Sequence, residues 1–264
     1  MRLDRIGCIS LLIVFLYGCN VQDHLLYFPD KTRPTGKDLA GANLALWKPY
    51  GDDYQGLIHT GPVEGPKGTI IVFHGNAGKA LDREFYSRMF RPFGYRVILA
   101  EYPGYGGRPG KPGERSFLDA GREALSAAFN EYGGPVYLVG ESLGCGVVTW
   151  LAGHTPIPVD GIILITPWDT LESVAREKFP SFIVSLALKD RYDSITNLKT
   201  YNKKVAIMGA GRDEIIPVGH ARALYDSYAG QKRMWVIPDA GHNDWPHILD
   251  SVKVKEIIDF LSGP

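Results

Sequence analysis

The chain has 264 residues, 45% of them hydrophobic and 22% charged, with 31 glycines and 18 prolines. Those proportions exclude a collagen-like repeat, a coiled coil and a largely disordered chain. The 29 basic residues balance 29 acidic ones, and no basic stripe offers the phosphate contacts a nucleic-acid binder needs, so nucleic acid is not an expected partner. Three cysteines are too few for a disulfide framework. The length suits one large domain better than two small ones.

The first residues read as a targeting segment. Arg2 and Arg5 form a basic start, and Ile6 to Tyr17 is a largely apolar run of 12 residues. A spanning helix needs roughly 20 apolar residues, so this run suits the core of an export signal. Leu16-Tyr17-Gly18-Cys19 then resembles the lipobox of bacterial lipoproteins. The resemblance implies a signal peptide over 1–18, acylation of Cys19, and a lipid-anchored linker over 19–40 ahead of the domain at 41–264. A signal cut elsewhere and an uncleaved anchor are the alternatives. Asn20 stands where an aspartate would retain a lipoprotein at the inner membrane. The implied location is therefore the cell envelope, on the outer membrane facing the periplasm where the host has one. Several acyl chains would hold the protein stably, whereas one anchors weakly.

Beyond a turn-rich stretch from Pro29 to Gly41, apolar runs alternate with helical periodicity. Strands are predicted over 68–73, 95–100, 135–139, 161–165, 205–208 and 234–237. Helices are predicted over 81–93, 114–132, 143–154, 218–228 and 247–261. Continuous apolar strands separated by helices imply an α/β fold with a mostly parallel sheet covered on both faces. Residues 168–202 fall between two strands and carry Phe179, Phe182, Ile183, Val184, Leu186 and Leu188 beside basic residues. They read as a small helical cap over a medium acyl chain, the alternative being a helix packed on the sheet.

The chemistry centres on Gly140-Glu141-Ser142-Leu143-Gly144. Gly-x-Ser-x-Gly arises by chance too often to mean much alone. Here it lies between a predicted strand and a predicted helix, where a tight turn would lift the serine hydroxyl above the sheet. A serine is a poor nucleophile until an imidazole takes its proton and a carboxylate orients that imidazole. His242 and Asp213 follow in that chain order, each in a loop just past a predicted strand. His247 competes with His242, and Asp169 and Glu214 compete with Asp213. Oxyanion donors are expected from the backbone N–H of Leu143 and of Asn76, with Ala77 as the alternative to Asn76. His74 reads as a loop-stabilising residue and Cys145 as a small core residue. No second ligand lies at a useful spacing from His74, so no metal and no other cofactor is expected. Gly104 to Lys111 lacks the spacing of a phosphate-binding loop and reads as a turn-rich wall near the site.

Taken together, His74-Gly75-Asn76-Ala77-Gly78, Tyr102-Pro103-Gly104-Tyr105-Gly106, the turn at Ser142, and the Asp213 and His242 loops resemble the α/β-hydrolase superfamily over roughly 40–262. The resemblance looks closest to small-capped acyl-protein thioesterases (depalmitoylases), with support from residues 170–180, 188–193 and 25–29. It implies a catalytic serine at Ser142, an acid at Asp213 and a base at His242. The expected function is hydrolysis of a carboxylic ester or thioester, in a small molecule or an acylated protein, at a membrane surface. A peptidase similar to the serine aminopeptidases and a non-catalytic envelope binding protein are the alternatives.

Overall fold

The computed structural model describes residues 22–263. The expected signal peptide and Cys19 lie outside those residues.

Strands β1 (Phe28–Pro29), β2 (Leu44–Trp47), β3 (Gly56–His59), β4 (Thr69–Phe73), β5 (Ala77–Gly78), β6 (Arg96–Ala100), β7 (Val136–Glu141), β8 (Gly161–Ile165), β9 (Lys204–Ala210) and β10 (Lys232–Ile237) make two sheets. The main sheet has eight strands in the order β10-β9-β8-β7-β4-β6-β3-β2. From β10 to β6 every pairing is parallel, and β3 and β2 add an antiparallel edge. Strands β1 and β5 form a small parallel pair beside it.

Side chains alternate across each strand, so each central strand feeds two cores. Ile71, Phe73, Leu138, Ile162 and Ile207 pack on one face against α3 (Glu114–Tyr132) and α4 (Leu143–His154). Ile70, Val72, Val139, Ile163 and Met208 pack on the other face against α2 (Phe85–Phe90), α9 (Trp245–Ile248) and α10 (Ser251–Ser262). Burial on both faces explains why β4, β7 and β8 are apolar at nearly every position instead of alternating.

Between β8 and β9 lie α5 (Leu171–Lys178), α6 (Ser181–Ala187) and α7 (Ser194–Leu198). Thr170 caps α5 by accepting the Ser173 N–H, and Asp193 caps α7 by accepting the Thr196 N–H. Helix α8 (Val218–Ser227) follows β9.

The structure departs from the sequence reading at several places. Within the stretch expected as a lipid-anchored linker, residues 22–40 pack on the domain. Residues 22–26 are helical, Tyr27 is buried, and Thr35 starts α1 (Gly36–Ala42) through a capping box with Asp38. The single helix expected over 81–93 is a short α-helix between two 3-10 turns, the second of them containing Pro92, which has no N–H to donate. The last helix is broken because Asp250 accepts the Lys253 N–H and so caps a fresh helix.

Phe117 ties this framework to the site. Its ring stacks on Tyr102 with centroids 4.0 Å apart and meets Tyr27 and Tyr105 edge-on. Removing it would leave a void beneath the loop that carries Tyr105. Phe117→Ala is therefore expected to lower the unfolding free energy by about 3–5 kcal/mol in a denaturant titration. A loss below about 1 kcal/mol would show that this cluster collapses freely.

Candidate active site

Ser142 occupies the one-residue turn between β7 and α4, with φ 52° and ψ −114°. That is a left-handed φ, which side chains with a Cβ rarely adopt without strain. Its two flanking glycines make the turn possible. A Cβ on Gly144 would sit 2.0 Å from the Phe73 carbonyl oxygen, and one on Gly140 would lie 2.7 Å from the Cys145 backbone. The motif glycines thus allow β4, β7 and α4 to approach at backbone contact distance.

The structure brings Ser142, His242 and Asp213 together. Asp213 lies past β9 and His242 past β10, both at the carboxyl ends of neighbouring parallel strands. The two loops are stitched by Gly211 N–H to Ile237 O and Arg212 N–H to Ala240 O, each at 2.8 Å. His242 Nδ1 is 2.7 Å from Asp213 Oδ2, and Nε2 is 3.1 Å from Ser142 Oγ. A carboxylate only accepts, so Nδ1 carries the proton and Nε2 accepts from the serine hydroxyl. The other Asp213 oxygen accepts the N–H groups of Ile215 and Ile216 at 2.9 and 2.7 Å, which fixes the carboxylate plane.

The competing residues are placed elsewhere. Asp169 accepts from His220 Nδ1 at 2.8 Å and from Ser173. Glu214 is exposed, and His247 lies on α9, past the loop that carries His242.

Leu143 opens α4, so its N–H has no carbonyl one turn back within the helix and points to the positive end of the helix dipole. Asn76 donates its N–H to no backbone carbonyl among the described residues. The preceding peptide is held by His74 Nδ1, which donates to Gly75 O at 2.7 Å, so the trans peptide aims the Asn76 N–H the opposite way. The Asn76 carbonyl accepts from Tyr105 Oη at 2.7 Å and Phe28 N–H at 2.9 Å, and its side-chain amide donates to Leu26 O. Ala77, the alternative donor, lies in β5 and is exposed.

Two buried charge clusters support these loops. His74 Nε2 faces Glu101 Oε1 at 3.0 Å, and Glu101 also accepts the N–H groups of Ala80 and Tyr102. Gly106 is required beside it, because a Cβ there would come 2.0 Å from Glu101 Oε2. Glu141, next to Ser142, accepts Arg83 Nη2 at 2.8 Å and Tyr86 Oη at 3.1 Å. Burial opposes ionisation of Glu141, but the Arg83 charge and its hydrogen bonds outweigh that, holding the carboxyl below its ordinary range. Cys145 is buried in the core, its Sγ 3.1 Å from the Gly140 carbonyl, and burial pushes its thiol well up. No local signal marks Arg83: it lies 58 residues from Glu141, and the fold brings the two together.

Two cavities flank the triad. One, of about 490 Å³, has Ser142 and Asn76 at its base and Trp168, Leu171, Val174, Val184 and Ile216 in its walls. The other, of about 750 Å³, lies beyond His242 and takes in Arg83, Arg88 and Glu141 but not Ser142. Only the smaller one presents an apolar surface to the serine hydroxyl. Among the described residues no group of three His, Cys, Asp or Glu side chains could hold a metal ion.

The Arg83–Glu141 pair yields a stability test. Arg83→Met strands a buried carboxylate, with an expected loss of about 3–5 kcal/mol at neutral pH. Because the folded Glu141 pKa is depressed, the wild-type contribution is full above the unfolded value and vanishes as pH falls through the folded one. The gap between wild type and variant should then narrow on acidification. An equal gap at neutral and acid pH would place the effect in packing.

A family model described as the alpha/beta hydrolase fold matches residues 68–191, which include Ser142. An uncharacterized protein of Mycobacterium tuberculosis is 30% identical over 266 residues, covering 94% of this chain and 90% of its own length. A lysophosphatidylserine lipase of Danio rerio is 27% identical over 222 residues, covering 74% of this chain and 58% of the lipase. Among solved structures, an esterase of Pyrococcus furiosus superposes with a TM-score of 0.68 at 16% identity, over 89% of this chain and 96% of that one. Sheet order, the strained serine turn and these similarities agree, and the chain belongs to the α/β-hydrolase superfamily.

Proposed function

We propose that the protein is a serine hydrolase that cleaves carboxylic esters or thioesters of medium acyl chains through an acyl-enzyme on Ser142. The observation that carries this reading is the continuous line from Asp213 through His242 to Ser142 Oγ, which opens into an apolar cavity. His242 takes the serine proton as Oγ attacks the acyl carbonyl, and the carbonyl carbon becomes tetrahedral. The N–H groups of Leu143 and Asn76 hold the oxyanion, worth roughly 3–4 kcal/mol per donor in comparable sites. Collapse expels the alcohol or thiol, which leaves with the proton from His242. Water, deprotonated by the same imidazole, then attacks the acyl-enzyme and releases the acid and free Ser142.

The cavity wall supports an acyl substrate. Trp168, Leu171, Val174 and Val184 offer no charge and little hydrogen bonding to a bound group. The lipase among the relatives is named for a lysophospholipid, which fits the ester side of the proposal. With Cys19 acylated, the enzyme works from the cell-envelope membrane on acylated lipids or proteins.

A serine-reactive fluorophosphonate probe should label the wild type and leave Ser142→Ala unlabelled. Labelling of both, or of neither, would remove the covalent mechanism. In a nitrophenyl ester series, kcat/KM should climb from acetate towards decanoate as each added methylene buries about 0.8 kcal/mol of apolar surface. Flat activity across the series would place the acyl chain outside this cavity.

A further inference from the structure

Of the ten large apolar side chains that stand exposed among the described residues, four line one opening and two more stand on a helix at its edge. Phe179, Ile183, Leu25 and Ile215 line the mouth of the cavity above Ser142. Phe182 and Leu186 continue the surface outward on α6, with 74% and 66% of their area in water. On this helix Val184 faces inward and is buried, while Phe182, Ile183 and Leu186 face out. An outward face of that composition has no role in packing the domain, and a joined apolar patch beside a ligand cavity marks an interaction surface. Three segments far apart in sequence build it: the helical residues 22–26, α6, and the loop after Asp213.

The course of the chain indicates what covers it. Gln22 is pinned to the cap, donating from Nε2 to Asp190 Oδ2 at 2.8 Å and accepting the Asp190 N–H at 3.1 Å. Tyr27 also bonds Asp190. Cys19 stands three residues before Gln22, and three residues reach at most about 11 Å. A lipid on Cys19 would therefore hold Gln22, which itself lines this cavity, within that distance of the headgroups.

We propose that this rim is an interfacial docking surface. Phe179, Phe182, Ile183 and Leu186, with Leu25 and Ile215, enter the boundary of a lipid bilayer and open the cavity directly to acyl chains. The inference deepens the hydrolase reading and rests on it for the role of the cavity. A chain entering from lipid moves from one apolar medium to another, so the docked enzyme takes bilayer-borne esters without drawing them through water.

The test uses the full chain and vesicles of phosphatidylcholine and phosphatidylglycerol. Amide hydrogen exchange through 179–188 should slow about tenfold or more when vesicles are added. The pair Phe182→Ser with Leu186→Ser should cut hydrolysis of a long-chain nitrophenyl ester held in those vesicles about tenfold, leaving turnover of soluble nitrophenyl butyrate unchanged. Exchange indifferent to vesicles, or vesicle-borne hydrolysis equal to wild type, overturns the proposal. So does protection without vesicles: if it grows with protein concentration the occupant is a second copy, and if it does not, the chain's own first residues. Absence of hydrolysis of either ester by the wild type would remove the hydrolase reading, while the exchange measurement would still decide the docking.

Discussion

At φ 52° and ψ −114°, Ser142 alone joins a buried strand to a buried helix. The rest of the site depends on that junction. Gly140 and Gly144 let the helix start against the Phe73 and Cys145 backbones, and the close approach places the serine hydroxyl above the carboxyl edge of the sheet. The same geometry sets the Leu143 N–H at a helix start, with no carbonyl one turn back inside the helix, where a developing negative charge would be favoured. The strain at Ser142 costs of order 1–3 kcal/mol, which two fully packed cores can absorb.

Parallel strand order supplies the other partners. Since β7, β8, β9 and β10 run side by side in one direction, the loops after β7, β9 and β10 must emerge on one edge. Asp213 and His242 then need only short loops to reach Ser142, and backbone bonds between those loops set their spacing. Behind them, Arg83 with Glu141 and His74 with Glu101 bury charge close to the reacting atoms. Such pairs add little net stability compared with apolar packing, yet each fixes the direction of a loop. His74 turns the Gly75 carbonyl, and with it the Asn76 N–H.

Much of this was legible in the sequence because the signals are local. The strand cores at 69–73, 136–141 and 161–165 are short apolar runs closed by glycine or a polar turn, and α3 and α4 have the bounds their periodicity predicts. Ser142, Asp213 and His242 could be picked out because each falls just past a strand. The antiparallel edge was missed: β2 and β3 are four residues each and differ little from turn sequence. The packing of the N-terminal stretch leaves no local signal because it is tertiary, set by Tyr27 and Gln22 meeting Asp190 across more than 160 positions. Arg83 and the rim around Leu25 and Ile215 are likewise contacts between distant segments, which no spacing rule exposes.

In the proposed mechanism Ser142 carries the acyl group between two halves of one reaction. Mass spectrometry of the full chain, quenched rapidly after mixing with nitrophenyl decanoate, tests it most directly. A decanoyl adduct is expected on the peptide containing Ser142, formed with the burst of nitrophenol and lost as turnover ends. Steady hydrolysis with that peptide unmodified throughout would contradict it.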